Sequence, residues 1–551
     1  MQGIPPMNSF EQLKSSFDSF LQTIQIPTNL IAHAQFELNT DPEKSLFGDI
    51  NSNVAMIAAK QLKCNPKVLA QQIVDQFQHP LVQKIEIAGP GFLNFFVHDQ
   101  WFNDLSSQIT QQQHDFFKPN IQPASIHLEF VSANPTGPMH VGHGRNGILG
   151  DVLARILAFL GNSVHKEFYI NDAGAQITKL GHSFKIRCLQ QLGHDVSLPE
   201  DAYHGLYLEE LAQNCVAEFG KNLELEPETF FQNYAKMHLL QQLQITLENY
   251  GIIFDQWFSE KSLHDHGQIT QALDRLVRSG HTYEQDGALW FRSTTFGDDK
   301  DRVMRKANGE LTYVAADVAY LIDKLDRGYE QLIMVLGHDH HSYKIRLESI
   351  MQALGYDHKR LHVILYQLVH VLKDGQPVRM SKRTGNMVTL EEVIQEVGKD
   401  IARFFFLYRK ADAELQFDID LALKQSNENP LFYIQYAHVR TMSIQKKAME
   451  AGIDHTNVTL DTCNQSEKLI LKKICQLKYL LPQIAQNHQI HLLAHFTYEL
   501  SHLFHAYYNQ QRIIDTDNPA TTQHRLAIVN VTQKTLQTAF YIMGITPLDT
   551  M

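Results

Sequence analysis

One stretch constrains this chain more than any other: Glu129-Phe-Val-Ser-Ala-Asn-Pro-Thr-Gly-Pro-Met-His-Val-Gly-His143. A β-prone run, Ile126 to Val131, precedes it. Ile148, Leu149, Val152, Leu153, Ile156, Leu157 and Leu160 follow on one helical face. The order is therefore strand, polar Gly/Pro loop, helix. A helix that begins there turns its first N–H groups toward whatever lies against the loop, and those groups favour phosphate. His140 and His143, three apart at the helix start, can donate hydrogen bonds to phosphate oxygens as charge moves in a transition state. Gly142 and Gly144 leave space for a flat nucleobase against the backbone.

Downstream, the pattern is that of a doubly wound α/β region. Gly161-Asn-Ser is a stop, and Val164 to Ile170 reads as the next strand. Asn171-Asp-Ala-Gly follows at the carboxyl end of that strand, where open α/β sheets place ligands. Residues from 180 to about 250 read as a polar helical insertion containing Tyr203-His-Gly-Leu-Tyr207. Leu332 to Gly337 is a buried-type strand ending in His338-Asp-His-His341. Adjacent residues on an extended strand point to opposite faces, so these four do not converge on one ion; lining a nucleotide pocket is the better reading. Leu361 to Val369 reads as a further strand leading toward a basic loop, Val378-Arg-Met-Ser-Lys-Arg-Thr-Gly385. Lys382 on such a loop can bring an ammonium to a departing phosphate group.

The flanks divide the chain. Residues 1–98 read as a small α+β module, with helices at Phe10–Ile26, Val54–Leu62 and Pro66–Phe77. Two short strands follow around the Gly89-Pro90-Gly91 turn. Residues 99–122 read as a linker helix. Residues 123–428 hold the nucleotide-binding region, with a stem from about 386. Residues 429–551 are nearly all helical, starting at Asn429-Pro430. The net charge of −12 excludes a protein that binds nucleic acid over its whole surface. The last segment carries ten Lys/Arg against eight Asp/Glu, so an RNA meets less repulsion there. The five cysteines are scattered without a Cys-x-x-Cys pair, which argues against structural zinc and against a disulfide framework. Met1 to Phe10 lacks the features of a signal peptide, and no run of ~18 apolar residues suggests a membrane span. A soluble, cytoplasmic protein is expected.

The His-x-Gly-His segment resembles the signature of class I aminoacyl-tRNA synthetases. Its longer form, through Gly144-Arg145, resembles that of arginyl-tRNA synthetases. Val378 to Gly385 resembles the second class I signature, Lys-Met-Ser-Lys-Ser, with Arg379 and Arg383 replacing the first Lys and the final Ser. Gly48-Asp-x-x-x-Asn-Val-Ala and Ile87-Ala-Gly-Pro-Gly-Phe-Leu-Asn-Phe resemble that family's N-terminal add-on domain, which contacts the tRNA elbow. Asn429-Pro-x-Phe-Tyr-x-Gln-Tyr-Ala-His-Val-Arg440 resembles the opening of its anticodon-binding domain.

The resemblance implies a Rossmann-type catalytic domain, an α+β add-on domain and an all-α C-terminal domain. It implies a ligase that joins arginine to its tRNA through an arginyl-adenylate, using ATP with Mg²⁺, as a monomer whose activation step depends on tRNA. By the same resemblance His140, His143 and Lys382 are catalytic. ATP contacts fall on Ala133, Pro135, Thr136, Gly137, Pro138, Met139, Val141, Gly142 and Gly144 besides the two histidines, and on Met380, Ser381 and Lys382. Arginine is a guanidinium substrate, so its pocket needs carboxylates and planar acceptors. Glu129, Asn134, Tyr313 and Asp317 match family positions for it, with Asp339 as an addition. Tyr433, Tyr436 and Arg440 are candidates for stacking on tRNA bases, although a packing role in the core is the expectation for Phe432 and Tyr436. Three other readings fit parts of the pattern: a class I synthetase for another amino acid, a non-catalytic RNA-binding paralogue, and a nucleotidyltransferase sharing the loop.

Overall fold

The computed structural model describes residues 7–119, 122–378, 388–454 and 460–551. At its centre is a five-stranded sheet in the order Leu361–Tyr366, Gln331–Gly337, Ser125–Glu129, Ser163–Ile170, Gln256–Ser259, every pair parallel. The chain builds outward from Ser125–Glu129 in one direction, then returns to build outward in the other. The crevice at the carboxyl ends of the first and fourth strands is thus the switch point where such sheets bind ligands. The polar loop between Glu129 and Val141 leaves the first strand at this point.

The first strand is shorter than its composition suggests. It ends at Glu129, because Val131 and Ser132 adopt positive φ angles of 66° and 43°. A β-branched residue there costs roughly 1–3 kcal/mol and persists only where neighbours hold it. Asn146, on the signature helix Val141–Phe159, supplies that hold. Its Oδ1 accepts from the Val131 N–H at 2.7 Å and its Nδ2 donates to the Val335 carbonyl at 3.0 Å. Packing sets the helix close to the strand: a Cβ on Gly150 would lie 2.2 Å from the Phe130 ring.

The run from Leu361 to Val369 is two strands, not one. Leu361–Tyr366 closes the parallel sheet, whereas Val369–Lys373 pairs in parallel with Leu415–Asp418 in a separate three-stranded sheet. His338–His340 is a 3-10 turn that runs into the helix His341–Ala353. The strand geometry used above to separate these side chains therefore does not apply to them.

The insertion comprises the helices Ala175–Gln191, Leu206–Phe219 and Glu228–Asn249. It has a core of its own, built on Leu180, Phe184, Leu211, Phe231 and Leu239. After the third parallel strand, a three-stranded antiparallel sheet (Thr282–Gln285, Ala288–Phe291, Arg302–Arg305) leads to the helix Tyr313–Asp326.

The expected linker is packed rather than free. Its helix, Asp99–Gln112, buries Trp101, Phe102, Leu105 and Ile109, and the turn after it buries Phe116 and Phe117. The N-terminal module, a four-stranded sheet with helices, docks on the helix Gln465–Asn487. Lys472 of that helix pairs with Asp49 at 3.2 Å and Lys478 with Glu11 at 3.1 Å, while Lys468 pairs with Asp99 of the linker helix at 2.8 Å. The C-terminal segment is four long helices: Pro430–Glu450, Gln465–Asn487, His491–Gln510 and Pro519–Met543. Asn429 caps the first of these, accepting from the N–H groups of Leu431 and Phe432, with Pro430 in the first turn. Among the described residues no helix is long and apolar enough to cross a membrane.

Candidate active site

The signature loop delivers both histidines to the start of the signature helix. His140 is the N-cap, and its Nδ1 accepts from the Gly142 N–H at 3.0 Å. That bond requires an unprotonated Nδ1, because a backbone N–H can only donate, so the proton of the neutral ring sits on Nε2. The His140 and His143 rings stack with centroids 3.7 Å apart at 24°. Both are half-buried. Of the other loop residues, Ala133, Pro135 and Met139 are buried, Thr136, Gly137 and Pro138 are half-buried, and Asn134 is exposed. Tyr207, from the insertion, closes over the loop: its hydroxyl donates to the Thr136 carbonyl at 2.6 Å. A Cβ on Gly137 would lie 3.1 Å from that hydroxyl. The Tyr203–Tyr207 segment thus touches the site directly.

A second group of side chains lines one face of the helix Tyr313–Asp326. Tyr313, Asp317, Tyr320, Lys324 and the capping Arg327 recur at helical spacing. The end of this face nearer the sheet is closed by ion pairs. Glu129 and Glu167 are partners in register on adjacent strands, and both are buried. Lys324 pairs with Glu129 and lies 3.8 Å from the Tyr320 ring centroid. Arg327 donates to both oxygens of Glu167, at 2.6 and 3.1 Å, and the Tyr320 hydroxyl donates to the same carboxylate at 2.5 Å. Burial alone would raise the Glu167 pKa, but the His127 ring 3.0 Å away and the hydrogen bonds from Arg327 outweigh it and hold the group well below the usual carboxylate range. Burial pushes His127 down to about 3, so this imidazole is neutral.

Glu129 therefore already carries a cation, and the Ser132 hydroxyl donates to its other oxygen at 3.1 Å. Asp317 is different. It accepts from the Tyr343 hydroxyl at 2.9 Å, and its nearest cation, Arg346, stands off at 3.9 Å. Burial pushes its carboxyl up to about 7, and the charges of Glu260 and Glu129 add to the rise. Tyr313 is 72% exposed, and its ring lines a cavity of about 680 Å³ together with Asp172, Lys236, Lys261 and Lys306. The cavity lies between the insertion and the antiparallel sheet, and the signature histidines do not line it. Asp339 projects into solvent with 84% of its side chain exposed, beside His340.

Met380, Ser381, Lys382 and the two replaced positions, Arg379 and Arg383, lie outside the described residues. The residues on either side of that segment are fixed. The Val378 N–H donates to the Val371 carbonyl at 2.8 Å. Thr389 forms a backbone bridge with His140, and the Leu390 N–H donates to the Met139 carbonyl at 2.8 Å. Thr389 also caps the helix Leu390–Val397 in a reciprocal box with Glu392.

In the C-terminal helices, Tyr436 is at the surface, 38% exposed, and Phe432 is half-buried; neither is the core residue expected of it. Their helix turns that edge outward, while Leu431, Ile434 and Ala437 face in. Arg440 stacks on Tyr436 and Tyr508, at 4.5 and 4.2 Å from the ring centroids. Tyr433 is half-buried against His505. Cys463 and Glu467, four residues apart, come together with the distant His524. Hydrogen bonds account for this group. The Asp461 N–H donates to His524 Nδ1 at 2.9 Å, which leaves the ring proton on Nε2 to meet Glu467 at 3.0 Å. Glu467 also accepts from Tyr507 and Asn464. A metal on Nε2 would have to displace that proton.

Sequence reasoning missed Asn146, Lys324 and Arg327. The partners that fix their roles, Val131, Glu129 and Glu167, lie 15 to 195 positions away, so no local spacing marks those pairings.

Three family descriptions match this chain in order: the arginyl tRNA synthetase N terminal domain over residues 11–97, the tRNA synthetases class I (R) catalytic domain over 106–413, and the DALR anticodon binding domain over 434–551. The arginine–tRNA ligase of Bacillus velezensis is 40% identical over 557 residues, covering 99% of this chain and 100% of that protein. A crystal structure of an arginyl-tRNA synthetase from Campylobacter jejuni superposes with a TM-score of 0.76 at 34% identity, covering 83% of this chain and 100% of that one. The Thermus thermophilus arginyl-tRNA synthetase shares the fold, with a TM-score of 0.75 at 20% identity over 98% of this chain and 100% of that one. With both signatures' flanks joined at the switch point of a parallel sheet, and three matched domains in sequence, the chain belongs to the arginyl-tRNA synthetase family of class I aminoacyl-tRNA synthetases.

Proposed function

We propose that this ligase charges the tRNA for arginine in two steps. In the first, the arginine carboxylate attacks the α-phosphorus of ATP; the bond to the β-phosphate oxygen breaks, and pyrophosphate leaves. In the second, a ribose hydroxyl of the tRNA terminal adenosine attacks the adenylate carbonyl, and AMP leaves. No protein nucleophile is required, so the protein contributes position and charge stabilisation. Mg²⁺ enters with ATP as part of the substrate.

The joining of the first signature loop to the flank of the second carries this reading: Leu390 N–H to Met139 carbonyl, 2.8 Å. It ties the residues that follow the Lys382 stretch in sequence to the loop bearing His140. His140 and His143, whose donors sit at a helix N-terminus, stabilise the phosphoryl group as charge develops. Lys382 meets the leaving pyrophosphate. The remaining loop residues, with Met380 and Ser381, enclose the nucleotide.

The guanidinium is read first by Asp317, whose one ion pair, to Arg346, is long at 3.9 Å, with Tyr313 as a wall. Glu129, already held by Lys324, acts as a second acceptor. Asn134 takes the amino or carboxylate end, and Asp339 is an outer contact. Tyr433, Tyr436 and Arg440 present a stacking edge to the anticodon arm, and the enzyme works as a cytoplasmic monomer. Exchange of labelled pyrophosphate into ATP, dependent on arginine and assayed with and without tRNA, tests the reading. Exchange driven by another amino acid would discard the pocket assignment.

A further inference from the structure

Besides packing directly on the C-terminal helices, the signature helix is bridged to that segment by one buried guanidinium. Arg403, on the helix Lys399–Leu407, is 1% exposed. Its Nη2 donates to Asp151 Oδ2 at 2.6 Å, and Asp151 is on the signature helix. Its Nε and Nη2 donate to the Met543 carbonyl at 3.1 and 2.8 Å. Its Nη1 donates to the Tyr250 carbonyl at 3.0 Å. Met543 ends the last helix of the C-terminal segment, and Tyr250 caps the last helix of the insertion. Carbonyls at helix C-termini lack partners within the helix and carry partial negative charge. A single cation thus meets two helix ends and a carboxylate.

The space is cut to this side chain. Gly544, which follows Met543 at φ 67°, would place a Cβ 2.3 Å from Arg403 Nη2. Asp151 is also fixed by Arg155, whose Nε donates at 2.7 Å while its Nη2 reaches the Gly251 carbonyl at 3.3 Å. Any displacement of the last C-terminal helix relative to the sheet must therefore break Arg403 bonds or move Asp151, and with it the helix that begins at His140.

We infer that Arg403, through Asp151, is a positioning residue that couples tRNA engagement by the C-terminal helices to the placement of His140 and His143. The inference rests on the tRNA-charging function above. Lysine at 403 keeps the charge but cannot span Asp151, Met543 and Tyr250 together. Asparagine at 151 keeps an acceptor of the same size and removes its charge.

The test compares wild type, Arg403→Lys, Asp151→Asn and the double variant, each shown folded by its melting transition. Steady-state charging is measured with intact tRNA and with a transcript lacking the anticodon arm. With intact tRNA each single variant should lose about tenfold in kcat, a coupling of ordinary size, with KM for arginine and ATP unchanged. The double variant should lose no more than either single one. With the truncated transcript all four should charge equally. Equal losses on both RNAs, losses that multiply in the double variant, or no loss at all would overturn the coupling. Wild type that fails to charge intact tRNA would instead overturn the function on which it rests.

Discussion

The Leu390 N–H donates to the Met139 carbonyl over 2.8 Å, and Thr389 bridges His140 one residue away. Two stretches separated by some 250 positions of chain are thus one piece of backbone at the catalytic switch point. The helix that starts at Leu390 packs on Gly144, where a Cβ would lie 2.5 Å from Leu390 Cδ1. Gly144→Ala should cost about 1–3 kcal/mol by overpacking and slow adenylate formation. Leu390→Ala in the same chain should recover part of both. Denaturant melts with single-turnover kinetics read the two effects separately.

Replacing His140 or His143 by Ala should lower the rate of adenylate formation by about 10²–10³, the size seen when one transition-state donor is lost. The rings stack at 3.7 Å, so the double variant should lose less than the product of the two. ATP binding, measured by equilibrium titration, should change little.

Lys382→Ala should slow pyrophosphate formation by a similar factor of about 10²–10³ while the ATP dissociation constant stays within a few-fold. Equal losses in binding and in rate would remove its transition-state role.

Arginine affinity should depend on pH. Burial pushes the Asp317 carboxyl up to about 7, so below that pH it holds a proton that a guanidinium must expel. The arginine KM should fall as pH rises toward 7 and level off above it. Folding has the opposite sign: a carboxyl raised above its unfolded value destabilises the empty protein as pH rises from the ordinary carboxylate range toward 7. Asp317→Asn should flatten the KM profile and weaken arginine binding.

Lys324→Met should destabilise the fold by about 3–5 kcal/mol, because it leaves Glu129 charged, buried and unpaired. Adding Glu129→Gln should return much of that loss. Thermal or denaturant unfolding of the four proteins closes the cycle.

The elements that repeat a local pattern were legible in the sequence. Asn429-Pro430 marks a capped helix, the Gly89-Pro90-Gly91 turn separates two strands, and the run after His143 is a helix. The signature histidines and Asp317 stand out in the sequence by residue type and context, and the fold sets the histidines at the start of the signature helix and Asp317 against Tyr343. What escaped depends on distant partners. Lys324 is an ordinary helix lysine until the fold sets it against Glu129. Val131 reads as strand until Asn146 holds it at positive φ. Gln367 and Leu368 break one apolar run into two strands, because the Arg145 guanidinium takes the Gln367 carbonyl at 2.8 Å. Arg403 sits in an apolar stretch, Ala402 to Leu407, and its acceptors come from three other helices.

The most direct measurement is exchange of labelled pyrophosphate into ATP by the purified protein, with each amino acid in turn, in the presence and absence of tRNA for arginine. Exchange is expected with arginine alone among the amino acids, needing more arginine in Asp317→Asn and lost in the His140→Ala, His143→Ala double variant. Exchange with a different amino acid, or none from folded wild-type protein with tRNA present, would contradict this expectation.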